Sequence, residues 1–130
     1  MNPISATIQS ADWKAEKHAP SISAPDAARA GEPVAVSAVV GDAIPHPNTP
    51  RHHIAWIALY FLPEGAKLPV ELARAEFSAH GASATDVPGP AFTEPRLSAT
   101  VKLAKSGTLQ TVAYCNLHGL WQSEKPIAVG

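Results

Sequence analysis

The chain has 130 residues, of which 45% are hydrophobic, with a formal net charge of −1. That is enough apolar material for one domain with a real core, so a disordered chain is excluded, and the near-neutral charge gives no electrostatic footprint for a nucleic-acid partner. No apolar run approaches the length of a membrane span, and a single cysteine excludes an internal disulfide framework.

In chain order, "MNPISATIQSADWKAEKH" lacks a basic start followed by an apolar core, so no secretion signal is expected there. With a lone thiol, which stays reduced in the cytosol, the expected location is the cytoplasm. Thirteen prolines favour short strands and many turns over long helices. "APDAARAGEP" reads as a turn cluster. "PVAVSAVV" (Pro33 to Val40) alternates in the strand period, with Val34, Val36 and Ala38 on one face. "IPHPNTP" is a proline-pinned loop. "HIAWIALYFL" (His53 to Leu62) is apolar on both faces, as a central strand would be. After the turn cluster "LPEGAKLP", "ARAEFSA" (Ala73 to Ala79) turns Ala73, Ala75, Phe77 and Ala79 inward. Residues Gly81 to Pro95 form the least structured stretch and the expected mobile loop. "RLSATVKLA" (Arg96 to Ala104) points Leu97, Ala99, Val101 and Leu103 inward, "TLQTVAYC" (Thr108 to Cys115) follows, and "KPIAVG" closes the chain as a short edge strand. Short strands with turns at this spacing predict a single all-β domain over 1–130, a β-sandwich without internal repeats.

The stretch "YCNLHGLW" (Tyr114 to Trp121) places the only cysteine, Cys115, three residues before His118. A lone cysteine is ordinarily a buried small hydrophobe and a lone histidine a surface or satisfied core residue. Here the pair is joined by His18 in "WKAEKHAP" and by His46 and His52 in "HPNTPRH", all in predicted loops or at strand ends, where sites are built on a rigid sandwich. His52 and His53 are adjacent at the start of an extended strand and point to opposite faces. His52 is assigned to the site and His53 to structure or surface. His80, in "AHG", takes the same structural reading. The set is then four imidazoles and one thiolate. That is one ligand too many for structural zinc. Blue copper needs an axial methionine, and the only methionine is Met1. A thiolate opposite an open position, with imidazoles in a plane, suits one mononuclear non-haem iron that binds and reduces an oxygen species.

Together "SADWKAEKHAP", "IPHPNTPRHHIAWIALYFLPEG" and "YCNLHGLW" closely resemble the superoxide reductases, in particular the one-iron neelaredoxin type related to desulfoferrodoxin. The resemblance covers nearly the whole chain, with the three motifs in order. It implies an immunoglobulin-like β-sandwich of about seven strands. It implies iron ligated by His18, His46, His52 and His118 in a plane with Cys115 axial, the Cys-x-x-His histidine binding through Nδ and the others through Nε. It implies that Glu16 occupies the sixth position of the oxidised iron and that Lys17 stands beside the open site. The reaction implied is one-electron reduction of superoxide to hydrogen peroxide without release of dioxygen. No four-cysteine rubredoxin-like module is present, so an external donor such as rubredoxin is expected, and the family's members are often homodimers or homotetramers. Trp13 and Trp121 are expected to pack around the site, and the backbone N–H groups of Asn116 and Leu117 to donate to the Cys115 sulfur. Two other classes share part of the pattern: an electron-transfer or storage metalloprotein with the same ligands, and a metal-free immunoglobulin-like binding module.

Overall fold

The structure is a computed structural model that describes residues 2–130. Among these residues there is no α-helix, only a 3₁₀ turn at Ile4–Ala6 and nine strands. The strands are β1 (Gln9–Ser10), β2 (Ser21–Ser23), β3 (Ala27–Ala28), β4 (Pro33–Val39), β5 (Ile54–Pro63), β6 (Val70–Glu76), β7 (Arg96–Lys102), β8 (Gly107–Cys115) and β9 (Gly119–Val129). Set aside the two-residue β1 and β3, and seven remain, which matches the expected immunoglobulin-like sandwich. One sheet runs β1-β9-β8-β5-β6, with β3 on the edge of β9, and the other runs β2-β4-β7.

The two sheets close on one core. Val34, Val36 and Ala38 of β4 and Leu97 and Val101 of β7 face Ile57, Leu59 and Phe61 of β5, Leu109, Ala113 and Cys115 of β8 and Ile127 of β9. These are the alternate positions that the period-2 pattern selects. Ile57, Leu59 and Leu109 are fully buried, each worth about 1.5–3 kcal/mol relative to exposure. β5 lies between β6 and β8, and its outward Ala58 is as inaccessible as its inward neighbours. That is why its sequence is apolar on both faces.

Three readings change. The C-terminal strand is not a short edge: β9 begins at Gly119, pairs with β8 from Gly119 to Ile127, and takes β1 and β3 in parallel on its other side. Its polar stretch, Gln122 to Glu124, disguised it. Pro126 lies between the patch covered by β1 at Trp121–Gln122 and the patch covered by β3 at Ala128–Val129, where an unpaired edge tolerates proline. β6 begins at Val70 and ends at Glu76, short of Ala79. The Phe77 carbonyl faces the His80 ring instead of a ladder partner. Finally, the 81–95 stretch is tied at its base, by an isolated bridge between His80 and Phe92 and by Gly89 N–H donating to Gly81 O at 2.7 Å.

Candidate metal centre

The turn between β8 and β9 dictates how Cys115 and His118 are presented. Cys115 pairs with Gly119 across the ladder, leaving a three-residue loop, Asn116 to His118. Such loops need a left-handed residue at the end, and Gly119 supplies it with φ +84°. Cys115 is fully buried at the end of β8, while His118 is exposed. His118 Nδ1 sits 3.7 Å from Cys115 Sγ.

His46 and His52 come from the irregular 40–53 connection between β4 and β5. The Thr49–His52 segment closes on itself: Thr49 N–H donates to His52 O at 2.9 Å and His52 N–H to Thr49 O at 3.2 Å. Gly41, at φ +86°, brings the chain back so closely that a Cβ there would lie 2.8 Å from His46 N. His18 is buried in the 11–20 segment, its ring stacked on Trp121 at 5.0 Å and 14°.

The four rings form a closed circuit. Centroid separations are 4.8 Å for His18–His46, 4.7 Å for His46–His52, 4.9 Å for His52–His118 and 4.7 Å for His118–His18, with 6.0 Å across the His18–His52 diagonal. Ligand atoms of His18, His46, His52 and Cys115 all lie within 4.8 Å of one another. His118 joins them through Nδ1, 3.1 Å from His18 Nε2 and 3.2 Å from His52 Nε2. A neutral imidazole has one N–H, so His118 Nδ1 cannot donate to both neighbours. Nitrogen ligands about 2.1 Å from one ion and at right angles would stand roughly 3 Å apart, which is the spacing here. His46 Nε2 is buried without a hydrogen-bond partner among the described residues, an arrangement that costs free energy unless a further group takes the lone pair. The donor set therefore fits a metal ion.

Two of the outward ring nitrogens, those of His46 and His18, are oriented by oxygen acceptors, which fixes the tautomer that leaves the inward nitrogen free. His46 Nδ1–H donates to Pro47 O at 2.7 Å. His18 Nδ1–H donates to Glu16 Oε1 at 2.7 Å, and Glu16 Oε2 accepts the N–H groups of His18 (2.8 Å) and Ala19 (3.0 Å). Burial raises the Glu16 pKa, but these bonds and the His18 ring outweigh it and hold the carboxyl below the usual range. Burial draws His46 down to about 4, against the pull of Pro47 O, with His18, His52 and Lys17 adding to the depression. Burial and the His118, His18, Lys17 and His53 charges lower His52 as well. The depression of His46 and His52 favours the neutral imidazoles that a metal requires.

The remaining candidates fall elsewhere. Glu16 lies behind His18, on the nitrogen away from His118. Lys17 is near enough for its charge to act on His46 and His52. His53 turns away and stacks face to face on His80 at 3.6 Å and 6°. Trp121 also donates Nε1–H to His118 O at 3.1 Å, whereas Trp13 lines an open cleft of about 650 Å³ with Tyr60, Gln110 and Gln122. The expected donation from Asn116 to sulfur is not made. Its backbone N–H goes to His53 O at 3.2 Å, because the turn is stitched to the start of β5. Sequence reasoning missed the Asn116 side chain, which accepts from His53 N–H at 2.9 Å and donates to Arg51 O at 2.8 Å, and Gln9, whose amide donates to His118 O at 2.8 Å. Neither residue type carries a signal without its distant partner.

The desulfoferrodoxin family profile matches residues 10–124. The chain belongs to the desulfoferrodoxin family of superoxide reductases. The superoxide reductase of Pyrococcus furiosus is 50% identical over 125 residues, covering 93% of this chain and 96% of that one. The neelaredoxin of Megalodesulfovibrio gigas is 43% identical over 123 residues, covering 94% and 95%. The solved superoxide reductase (neelaredoxin) of Archaeoglobus fulgidus in the reduced form superposes with a TM-score of 0.85 at 47% identity, covering 94% of this chain and 98% of that one. In this desulfoferrodoxin-family chain the His/Cys cluster is the place for a metal cofactor.

Proposed function

We propose that this chain is a single-domain cytoplasmic enzyme that reduces superoxide at one mononuclear non-haem iron held by His18, His46, His52, His118 and Cys115. The overall change takes one superoxide, one electron and two protons to one hydrogen peroxide. The electron is replaced by an external donor, with rubredoxin or a similar small redox protein as the fitting class. The observation that carries this reading is the closed circuit of four imidazoles beside the fully buried Cys115. When bound, iron supplies the electron, and the thiolate supplies density that favours giving it up.

The chain's own residues do the rest. Pro47 O and Glu16 hold His46 and His18 in the tautomers that present Nε2. Lys17 provides local positive charge for a small anion approaching a chain of net charge −1. Glu16 has a second role in this reading, as a carboxylate that would bind the metal in its oxidised form. To take it, the carboxylate would have to leave the His18 and Ala19 N–H groups and the His18 ring, which would require rearrangement of the Glu16–His18 turn. Assembly as a homodimer or homotetramer belongs to the same proposal.

Iron-loaded, reduced protein mixed with superoxide under pulse radiolysis should react in a fast bimolecular step and yield peroxide without dioxygen. Iron binding with no such step would leave an electron-transfer or storage role. Lys17→Ala should slow the encounter about tenfold and reduce its salt dependence, and Lys17→Arg should recover much of the rate.

A further inference from the structure

The 40–53 connection carries two histidines of the centre yet contains no regular secondary structure, so something must hold it. A proline fixes φ but does not anchor a loop to its neighbours. The anchor is a side chain between the two histidines. Asn48 is half-buried, its Nδ2–H donates to Thr93 O at 3.0 Å, and its Oδ1 faces His80 Nδ1 at 2.9 Å. The donation to Thr93 fixes which way the amide points. His80 is buried, and its other nitrogen faces Phe77 O at 2.8 Å. Thr93 is itself tied to the same segment, its N–H donating to Ala79 O at 2.7 Å. His53 completes the assembly from the other end of the loop: its ring lies flat on His80 and its Nδ1–H donates to Thr49 O at 2.9 Å. The 40–53 loop is thus gripped by the 77–93 segment at Asn48 and again at His53, on either side of His52.

We propose that Asn48 and His80 are positioning residues for the metal centre: an Asn48–His80 latch that holds the His46–His52 loop with its ligand nitrogens already convergent. The latch rests on the metal-centre reading above. Its hydrogen bonds and ring stack go to Thr93, Phe77 and His53 and not to the ligand rings, so its action is on the backbone that carries them. A preformed site binds its ion without first ordering a loop, so releasing the latch lowers affinity, and supporting residues around metal sites commonly change it by 10–100-fold.

The test uses the full-length chain stripped of metal and titrated with Co²⁺ against a competing chelator at 10 °C. It reads the thiolate-to-cobalt absorption band and the ligand-field bands. Asn48→Ala should weaken Co²⁺ about tenfold and shift the ligand-field bands. His80→Gln, which keeps an amide N–H, should lose less than His80→Ala. Emptying the buried His80 site also removes packing, so Asn48→Ala and His80→Gln carry the decision, and a melting curve shows that each is folded at the titration temperature. Affinity within twofold of the parent and unshifted bands in Asn48→Ala and His80→Gln, with only the melting temperature lowered, would overturn the latch and leave a structural contact. Failure of the unsubstituted chain to give a Cys115-dependent cobalt band would instead overturn the metal-centre reading.

Discussion

Two loops carry three of the five proposed ligands, and they are held in different ways. The 116–118 turn is a hairpin loop between β8 and β9, and its geometry follows from three residues and a left-handed glycine. The 40–53 connection spans from one sheet to the other and depends on contacts with residues 80, 93 and 116. A hairpin turn pays little closure entropy because the ladder on either side already brings its ends together. The long connection lacks that support, so its order must come from hydrogen bonds to remote segments. The hairpin is therefore readable as a motif, and the connection is readable only for its ligands.

The largest expected effect is at the hairpin. Cys115→Ser should abolish the visible thiolate-to-iron band of the oxidised protein, and a retained band would remove Cys115 from the ligand set. His53→Ala, by contrast, should keep that band, since His53 faces His80. Next is a pair of glycines. Gly41 and Gly119 have nearly the same positive φ, so alanine costs about 1–2 kcal/mol of backbone strain at either. A Cβ at Gly119 meets nothing closer than Gln9 Nε2 at 3.8 Å, whereas one at Gly41 lies 2.8 Å from His46 N. Gly41→Ala should therefore displace His46 and weaken metal binding as well as lowering stability, and Gly119→Ala should lower stability alone. Equal losses of metal affinity, measured by chelator competition, would break the distinction between the loops.

The smallest effect concerns acid and the metal-free protein. His46 titrates near 4 when folded and near 6.5 when unfolded, burial being the main cause. Between those values the unfolded chain binds the proton that the folded chain refuses. The contribution of His46 to stability is thus fully present above about 6.5 and is lost progressively as pH falls toward 4. Urea melts of metal-free protein at pH 7, 6 and 5 should show this decline, and His46→Gln should flatten it. An unchanged slope in His46→Gln would place the acid sensitivity at groups other than His46. In metal-loaded protein the same protons compete with the ion, so occupancy should fall over a lower range.

Much of the sandwich was legible before the structure. β4, β7 and β8 announce themselves by alternation, and β5 by apolar residues on both faces, because a strand's side chains alternate whatever it pairs with. β9 was half-missed: "KPIAVG" reads as a short edge strand, and the polar Gln122, Ser123 and Glu124 before it carry no apolar alternation to extend it. The two-residue β1 and β3 carry no pattern at all; they are defined by their partner.

By itself the sequence determined the chemistry: one thiol in a Cys-x-x-His turn, three further histidines in loops, and a strand pattern able to close a core. Residue types and short spacings are local, and local chemistry survives without coordinates. Only the tertiary structure decided that the rings of His18, His46, His52 and His118 form one circuit. It also decided that Asn48 meets His80 across 32 positions of sequence. Those placements come from packing one sheet on another, which brings together residues whose separation along the chain says nothing about their separation in space.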